Sequence, residues 1–509
     1  MPLLGNLKIE PSFETFEKNY NEGKTQLIWT WIPSDLETPV SAYLKLCKKD
    51  PYCFLLESVE GGEKLGRYSF LGYDPDLLWA YENNQIELRR EGEETIISNG
   101  DPIESMRALL DESKIDVVDE GMPPMAVSGL FGYVGYDMVR LIEDIPDSNP
   151  DDLGIPQSIL MRPKIVVIFD SVKKMACLVT PVYMHAKNSE KTAQETFDKD
   201  LQIIQDAVNH LRVPKDLELL REESKLTTPL EVSSNMTKEQ FKDAVQRVIN
   251  YTHEGEAFQV VPSQRFSVDF DISSFAFYRT LRRVNPSPFM FHIAFDGFQL
   301  VGASPEILVR VRDRKITIRA LAGTRKRGRN SKEDEALAKE LLADKKECAE
   351  HLMLVDLGRN DVGRVSKFGS VKVTEKFIVE YYSHVMHIVS NIKGKLKDSV
   401  DVIDALFAGF PAGTLSGAPK VRAMEIIDEV EVSRRSYYAG GVGYFSGNGE
   451  MDTCIAIRTA LIKDKKLYVQ AGAGVVADSV PESEYQETIN KSRALILAAE
   501  LAIEESNQE

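Results

Sequence analysis

Two pairs of glutamates at matched spacing carry the clearest chemistry in this sequence. Glu484 and Glu487 stand three apart in PESEYQETINKSRALILAAELAI, and Glu347 and Glu350 repeat that spacing in KKECAEHLML. Residues three apart on a helix share one side, about 5–6 Å apart between Cβ atoms. One such pair is ordinarily solvated helix surface. Two pairs on facing helices can hold Mg2+, which takes oxygen ligands at about 2.0–2.1 Å and leaves room for substrate oxygens. Just upstream of the second pair, Gly472-Ala473-Gly474 is a small-residue run inside a strand pattern, where a ligand can approach backbone.

The elements that must position these residues follow from periodicity. GGVGYFS, DTCIAIRTALI and LYVQAGAGVV alternate as three strands, the first two joined by the turn SGNGE. Pro481 is expected in the first turn of the next helix, with Ser479 as its cap. Thr237 and Gln240 form a capping box for a helix over MTKEQFKDAVQRVINYTHEG. GEAFQVVPSQRFSVDF reads as a strand, SSFAFYRTLRRVN as a helix, and PFMFHIAFDGFQLVGASPEILVRVRDRKITIRALAG as a meander. A long helix carries the first glutamate pair. TEKFIVEYYSHVMHIVSNIKGKL is strand-like, and helices flank FPAGTLSGAPK.

The first part of the chain mixes strands and short helices. PYCFLLESVEGGEKLGRYSFLGYDP reads as two strands around a turn at Gly61-Gly62. SGLFGYVGYDMVRLIEDIP reads as a strand entering a helix, and PKIVVIFDSVKKMACLVTPVYM as a hairpin. GLFGYVGYD resembles the later GGVGYFSGNGEMD and hints at two related sheet halves. Residues 190–212 read as helix. The charged stretch VPKDLELLREESKLTTPLEVSSN suggests a linker, giving an N-terminal domain over 1–212, a linker over 213–236 and a second domain over 237–505. Strands come in runs rather than alternating strictly with helices. That predicts an α+β fold on large, mainly antiparallel sheets.

Composition narrows the class. The chain has 509 residues, 43% hydrophobic and 28% charged, with a net charge of −17. That charge argues against nucleic acid or an anionic membrane as partner. There is no run of 18 apolar residues and no basic leader ahead of an apolar core, so neither a membrane span nor a signal peptide is expected. Cys47, Cys53, Cys177, Cys348 and Cys454 are scattered and odd in number, which suits a reducing, cytoplasmic setting.

Across nearly its whole length, and most densely from about 237 to 495, the sequence resembles the chorismate-utilising enzymes, and among them the large subunits of anthranilate synthase. The stretches that carry the resemblance are NPSPFMF, GASPE, ALAGTRKRG, KECAEHLMLVDLGRND, SHVMHIVS, FPAGTLSGAPKVRAMEII, YYAGGVGYF, DTCIAIRTA, QAGAGVVADSVPESEYQETINKSRAL and, near the N-terminus, LLES with RYSFLG. The resemblance implies an α/β sandwich of two intertwined domains with the active site in the cleft between sheets. It also implies a reaction in which nitrogen attacks the ring of chorismate, a hydroxyl leaves and pyruvate is eliminated.

The same resemblance implies roles for individual residues. Glu350 and Glu487 would bind Mg2+, with Glu347 and Glu484 acting through water. Glu306 would protonate the leaving hydroxyl, and His387 would assist the elimination. Arg458, Tyr438, Gly472, Ala473, Gly474 and Lys491 would hold carboxylates, and a buried arginine does call for an anion. Gly323 and Thr324 would line the ring. Thr414 and Lys420 would lie nearby, and His384 would be structural. Leu56, Glu57, Ser58, Arg67, Pro288, Phe289 and Met290 match a tryptophan feedback site, with an acid for the amino group and an apolar enclosure for the indole.

Two positions separate the family's branches. Water-adding relatives carry a lysine where this chain has Gln259, and aminodeoxychorismate synthases carry one where it has Ala322. Both differences imply ammonia as nucleophile and anthranilate as product. The chain has no glycine-flanked cysteine nucleophile, so a separate glutamine amidotransferase subunit, component II, is expected to supply ammonia in a hetero-oligomer. The alternatives are an aminodeoxychorismate synthase component without the lysine, or a non-catalytic tryptophan-binding homologue.

Overall fold

A computed structural model of the chain describes residues 7–47, 50–58, 66–117, 128–184, 192–213, 222–382 and 385–507. Gly61-Gly62, His384 and residues 214–221 of the expected linker lie outside the described residues.

Among the described residues twenty-one strands join in one antiparallel sheet, with helices on its flanks. Gln259–Val260 and Gly417–Ala418 pair separately. The fold is α+β, and the one sheet runs through both halves of the chain. The two similar glycine-rich runs meet at a seam: Gly129–Val134 pairs with Gly441–Ser446, and Gly132 stands opposite Gly443. A Cβ on Gly132 would sit 2.0 Å from the Ile159 carbonyl oxygen, and one on Gly443 2.1 Å from that of Asp452. Only glycine lets the strands close here. A second seam pairs Cys53–Glu57 with Phe289–Phe295, placing Met290 opposite Glu57.

Two large apolar clusters fill the interior. One contains Trp79, Phe131, Leu308, Tyr438 and Ile455, and the other Phe16, Leu71, Phe277 and Leu495. Each large side chain so buried contributes about 1.5–3 kcal/mol. The helix Pro481–Ser506 buries Thr488, Ser492, Leu495, Ala498, Ala499 and Ala502, a stripe at helical spacing whose small residues let it lie close to Ser274–Val284.

The sequence reading differs from the structure at several joints. DTCIAIRTALI is two strands, Met451–Ile455 and Thr459–Lys463, broken where Arg458 takes a φ of 50°. GEAFQVVPSQRFSVDF also divides, into Gln259–Val260 and Ser263–Asp269, because Pro262 has no N–H to continue a ladder. Ser479 does not cap the following helix. Val480 holds that position, and the Ser479 hydroxyl accepts instead from the Val476 N–H at 3.1 Å. After Gly129–Val134 the chain enters a short 3-10 helix, Tyr136–Leu141, rather than an α-helix. Among the described residues no helix is long and apolar enough to cross a membrane.

Candidate active site

Glu306 lies in the Ser304-Pro305-Glu306 bend between the strands Phe298–Ser304 and Ile307–Arg312. Its backbone is fixed by the Ile455 N–H, which donates to its carbonyl at 3.0 Å. The side chain is 6% exposed, and its one hydrogen bond among the described residues comes from the Thr414 hydroxyl, 3.1 Å from Oε1. Burial pushes its pKa to about 8, against the opposing pull of Thr414, Arg458, Arg319 and Lys491. At neutral pH the group is a protonated acid.

Gly323, Thr324 and His387 are brought together by register. Thr324 lies directly opposite His387 across the strands Lys315–Lys326 and Val385–Lys395, and a bulge at Gly323, φ 70°, aims its carbonyl at the imidazole. His387 Nδ1 is 3.1 Å from that carbonyl oxygen and 3.0 Å from the Thr324 hydroxyl. A carbonyl only accepts, so Nδ1 carries the proton and Nε2 keeps a free lone pair. Burial pulls the histidine pKa down to about 4, so the ring is neutral.

Arg458 makes no side-chain hydrogen bond or ion pair among the described residues, yet loss of hydration lowers its pKa against the opposing influence of Tyr438 and Glu487. A desolvated guanidinium in a left-handed backbone turn, without a counter-ion, is arranged for an anion. Tyr438, 3% exposed, has its pKa pushed up to about 12 by burial. Its hydroxyl takes the Gly472 N–H. The Ala473 N–H donates to Pro262 at 3.1 Å, so of the three small residues Gly474 has the N–H without a partner among the described residues. Lys491 donates to the Gly472 carbonyl at 2.8 Å and pairs with Glu487 at 2.6 Å, tying the helix to the end of the strand Lys466–Gly472.

The four carboxylates do project from two helices. Asp344 caps Lys345–Val365 by accepting from the N–H groups of Lys346 and Glu347, at 3.0 and 3.2 Å. Glu350 Oε1 accepts from the Gln259 amide at 3.0 Å, and Glu347 pairs with Arg325 at 3.1 Å. On Pro481–Ser506, Glu487 pairs with Lys491, while burial raises the pKa of Glu484, which feels the charges of Glu487 and of Lys346 on the other helix. No group of three or more ligand side chains converges at metal-binding distance among the described residues. The donor set is nevertheless all carboxylate, the chemistry Mg2+ requires, and among the described residues Glu350 and Glu487 each leave Oε2 unbonded.

Two residues that sequence reasoning passed over are prominent. Gln259, read only for lacking an amine, is 3% exposed and holds Glu350; its Nε2 also lies 2.8 Å from where a Cβ on Gly474 would be. Arg325 clamps Glu340, Asp344 and Glu347 to the strand bearing Thr324. Its place directly after Gly-Thr was the available signal. Lys420 sits at the start of Lys420–Val430 and pairs with Asp361 at 2.9 Å.

A cavity of about 420 Å3, apart from these residues, is lined by Leu56, Glu57, Ser58, Arg67, Pro288, Phe289 and Met290 together with Phe70, Arg310, Tyr444 and Asp452. The Glu57 carboxylate, however, is taken by Tyr278 at 2.5 Å and Arg282 at 3.1 Å. Those two donors already share the carboxylate in the cavity wall. Arg67 is likewise paired with Asp170 at 2.8 Å.

Comparison with known proteins agrees with this geometry. A family model described as chorismate binding enzyme matches residues 39–497. The anthranilate synthase component 1 of Cereibacter sphaeroides is 52% identical over 96% of this chain and 97% of its own length, and that of Aquifex aeolicus 44% identical over 99% of each. The crystal structure of anthranilate synthase component I from Streptococcus pneumoniae superposes with a TM-score of 0.73 at 36% identity, over 91% of this chain and 99% of that one. The menaquinone-specific isochorismate synthase of Escherichia coli shares the fold, with a TM-score of 0.69 at 21% identity, over 96% of this chain and 100% of that one. By descent and by architecture the chain belongs to the chorismate binding enzymes, and within them it groups with the component 1 chains of anthranilate synthase.

Proposed function

We propose that the chain is the catalytic component I of anthranilate synthase, a cytoplasmic lyase that converts chorismate and ammonia to anthranilate and pyruvate at the entry to tryptophan biosynthesis. The observation that carries this reading is the pairing of a buried, protonated Glu306 with a desolvated Arg458 that has no counter-ion. A dianionic substrate losing a hydroxyl needs both.

Arg458 takes the enolpyruvyl carboxylate, helped by the Gly474 N–H and by Lys491, while Tyr438 backs the site through Gly472. Glu350 and Glu487 would hold Mg2+, with Glu347 and Glu484 acting through water, and the ion would supply positive charge for the ring carboxylate. As nitrogen attacks the ring, Glu306 gives its proton to the leaving hydroxyl, and Thr414 holds the carboxylate that results. Neutral His387, its tautomer set by Gly323, takes up a proton at Nε2 during pyruvate loss. Gln259 has no basic nitrogen to activate water, which supports ammonia as nucleophile.

The ammonia would come from a glutamine amidotransferase subunit, component II. The 420 Å3 cavity, within the range of roughly 300–1,000 Å3 of small-molecule sites, supports tryptophan as a feedback ligand. We take 1–212 as the N-terminal half that shares this site and 237–505 as the catalytic half. Coupled detection of pyruvate from chorismate, Mg2+ and ammonium tests the catalytic reading. Wild type should turn over and Glu306→Gln should not; equal rates would refute the assignment.

A further inference from the structure

Beside Glu306, and lined by none of Arg458, Tyr438, His387 or Gly474, lies a space of about 30 Å3. Glu306, Arg319, Asp361 and Thr414 line it, with Gly409 and Gly413. That volume is about one water molecule's share of the liquid, and a buried water needs two to four polar partners. The walls offer them. Glu306 Oε2 and Asp361 Oδ1 make no bond among the described residues, because Thr414 takes Oε1 and Lys420 takes Oδ2. Arg319 Nε is buried without a partner, while its terminal nitrogen pairs with Glu380.

We infer that this void holds a resident water joining Glu306 to Asp361 and through it to Lys420, so that the acid is reloaded from inside the protein rather than through the occupied cleft. The inference rests on the reading of Glu306 as the acid. Once Glu306 has given its proton to the leaving hydroxyl, which departs as water, its carboxylate takes a proton from the resident water. That water takes one from Asp361, which burial moves toward its protonated form. Asp361 is reloaded from the Lys420 ammonium, whose side chain is 11% exposed and exchanges with solvent. The proton that enters from solvent for each hydroxyl lost is matched by the proton that the attacking ammonia sheds to solvent once bonded to the ring, so no charge accumulates. Asp361, 5% exposed on the same helix as Glu350, is otherwise an expensive place for a carboxylate.

Asp361 touches no substrate and is a positioning residue in this scheme, so its test must separate proton supply from structure. A high-resolution crystal structure of the full chain should show one ordered water within hydrogen-bond distance of both Glu306 and Asp361; a dry void overturns the inference. In solution Asp361→Asn, which keeps the shape, should lower kcat about tenfold, within the range of proton-transfer effects, and raise its solvent deuterium isotope effect while KM for chorismate stays within about twofold. Asp361→Glu should recover part of kcat. Lys420→Gln, which leaves Asp361 in place, guards against a variant that fails to fold and should also slow turnover. If kcat and the isotope effect of Asp361→Asn match wild type while Glu306→Gln is dead, the relay fails and the acid stands. If Glu306→Gln is active, the acid assignment itself fails.

Discussion

Replacing Glu306 with glutamine should stabilise the protein in alkali while removing its activity. Burial raises the Glu306 pKa from 4.5 to about 8. Between those values the folded chain keeps a proton that the unfolded chain releases. Stability from this group is therefore complete below about pH 4.5 and is lost as pH rises through about 8. At 1.36 kcal/mol per pKa unit the loss has a ceiling of about 5 kcal/mol. Water entering the site and small shifts of Thr414 lower that figure, and we expect about 2–4 kcal/mol. Glutamine is neutral at every pH, nearly the same size, and still able to bond Thr414, so the variant escapes the loss. Urea unfolding of both proteins at pH 5 and pH 9 measures it. The advantage of the variant should grow by about 2 kcal/mol or more between the two pH values. A constant difference would mean that the pocket accommodates the ionised carboxylate, and the physical ground for Glu306 as an acid would be gone.

Other perturbations reach the remaining parts of the site. Arg458→Met should lower kcat/KM for chorismate by about 30–5,000-fold, since truncating one side of a buried charge pair costs roughly 2–5 kcal/mol, yet leave the stability of the unliganded chain undiminished because no internal partner is lost; a matching loss of stability would make it a structural arginine. Gln259→Leu frees Glu350 and should raise the Mg2+ concentration for half-maximal activity about 10–100-fold, and an unchanged titration would separate the amide from metal binding. His387→Met should let the aminated, still enolpyruvylated intermediate accumulate, visible by chromatography; anthranilate alone at the normal rate would exclude the histidine from elimination. Met290→Thr and Ser58→Ala, both at the 420 Å3 cavity, should weaken tryptophan binding in calorimetry, and unaltered binding would leave that cavity a packing seam between the two strands it borders.

Much of this was legible from local pattern. The helices bearing Glu347, Glu350, Glu484 and Glu487 were readable because their apolar spacing, and Pro481 at the start of the second, are local signals, although the expected cap Ser479 was not one. The strands were readable as alternating runs. What the pattern concealed was conformation that only tertiary contact decides. Nothing in DTCIAIRTALI announces that Arg458 leaves the strand, because the isolated sequence stays apolar and strand-like on both sides of it. Pro262 did give warning of a break. The commitment of Glu57 to Tyr278 and Arg282 could not be foreseen, because those partners lie more than 200 residues away and meet it only when Cys53–Glu57 pairs with Phe289–Phe295. The same holds for Gln259 and Glu350, 91 positions apart. Sequence identifies which groups can do chemistry, but the long-range pairing decides which of them remain unpartnered to do it.

The central claim is that this site puts ammonia, not water, onto the ring of chorismate. The direct measurement is the nitrogen-15 NMR and mass spectrum of the product formed by the chain alone from chorismate, Mg2+ and nitrogen-15 ammonium. Labelled anthranilate with one equivalent of pyruvate is the predicted result. Unlabelled isochorismate, or labelled 4-amino-4-deoxychorismate with no pyruvate released, would contradict it.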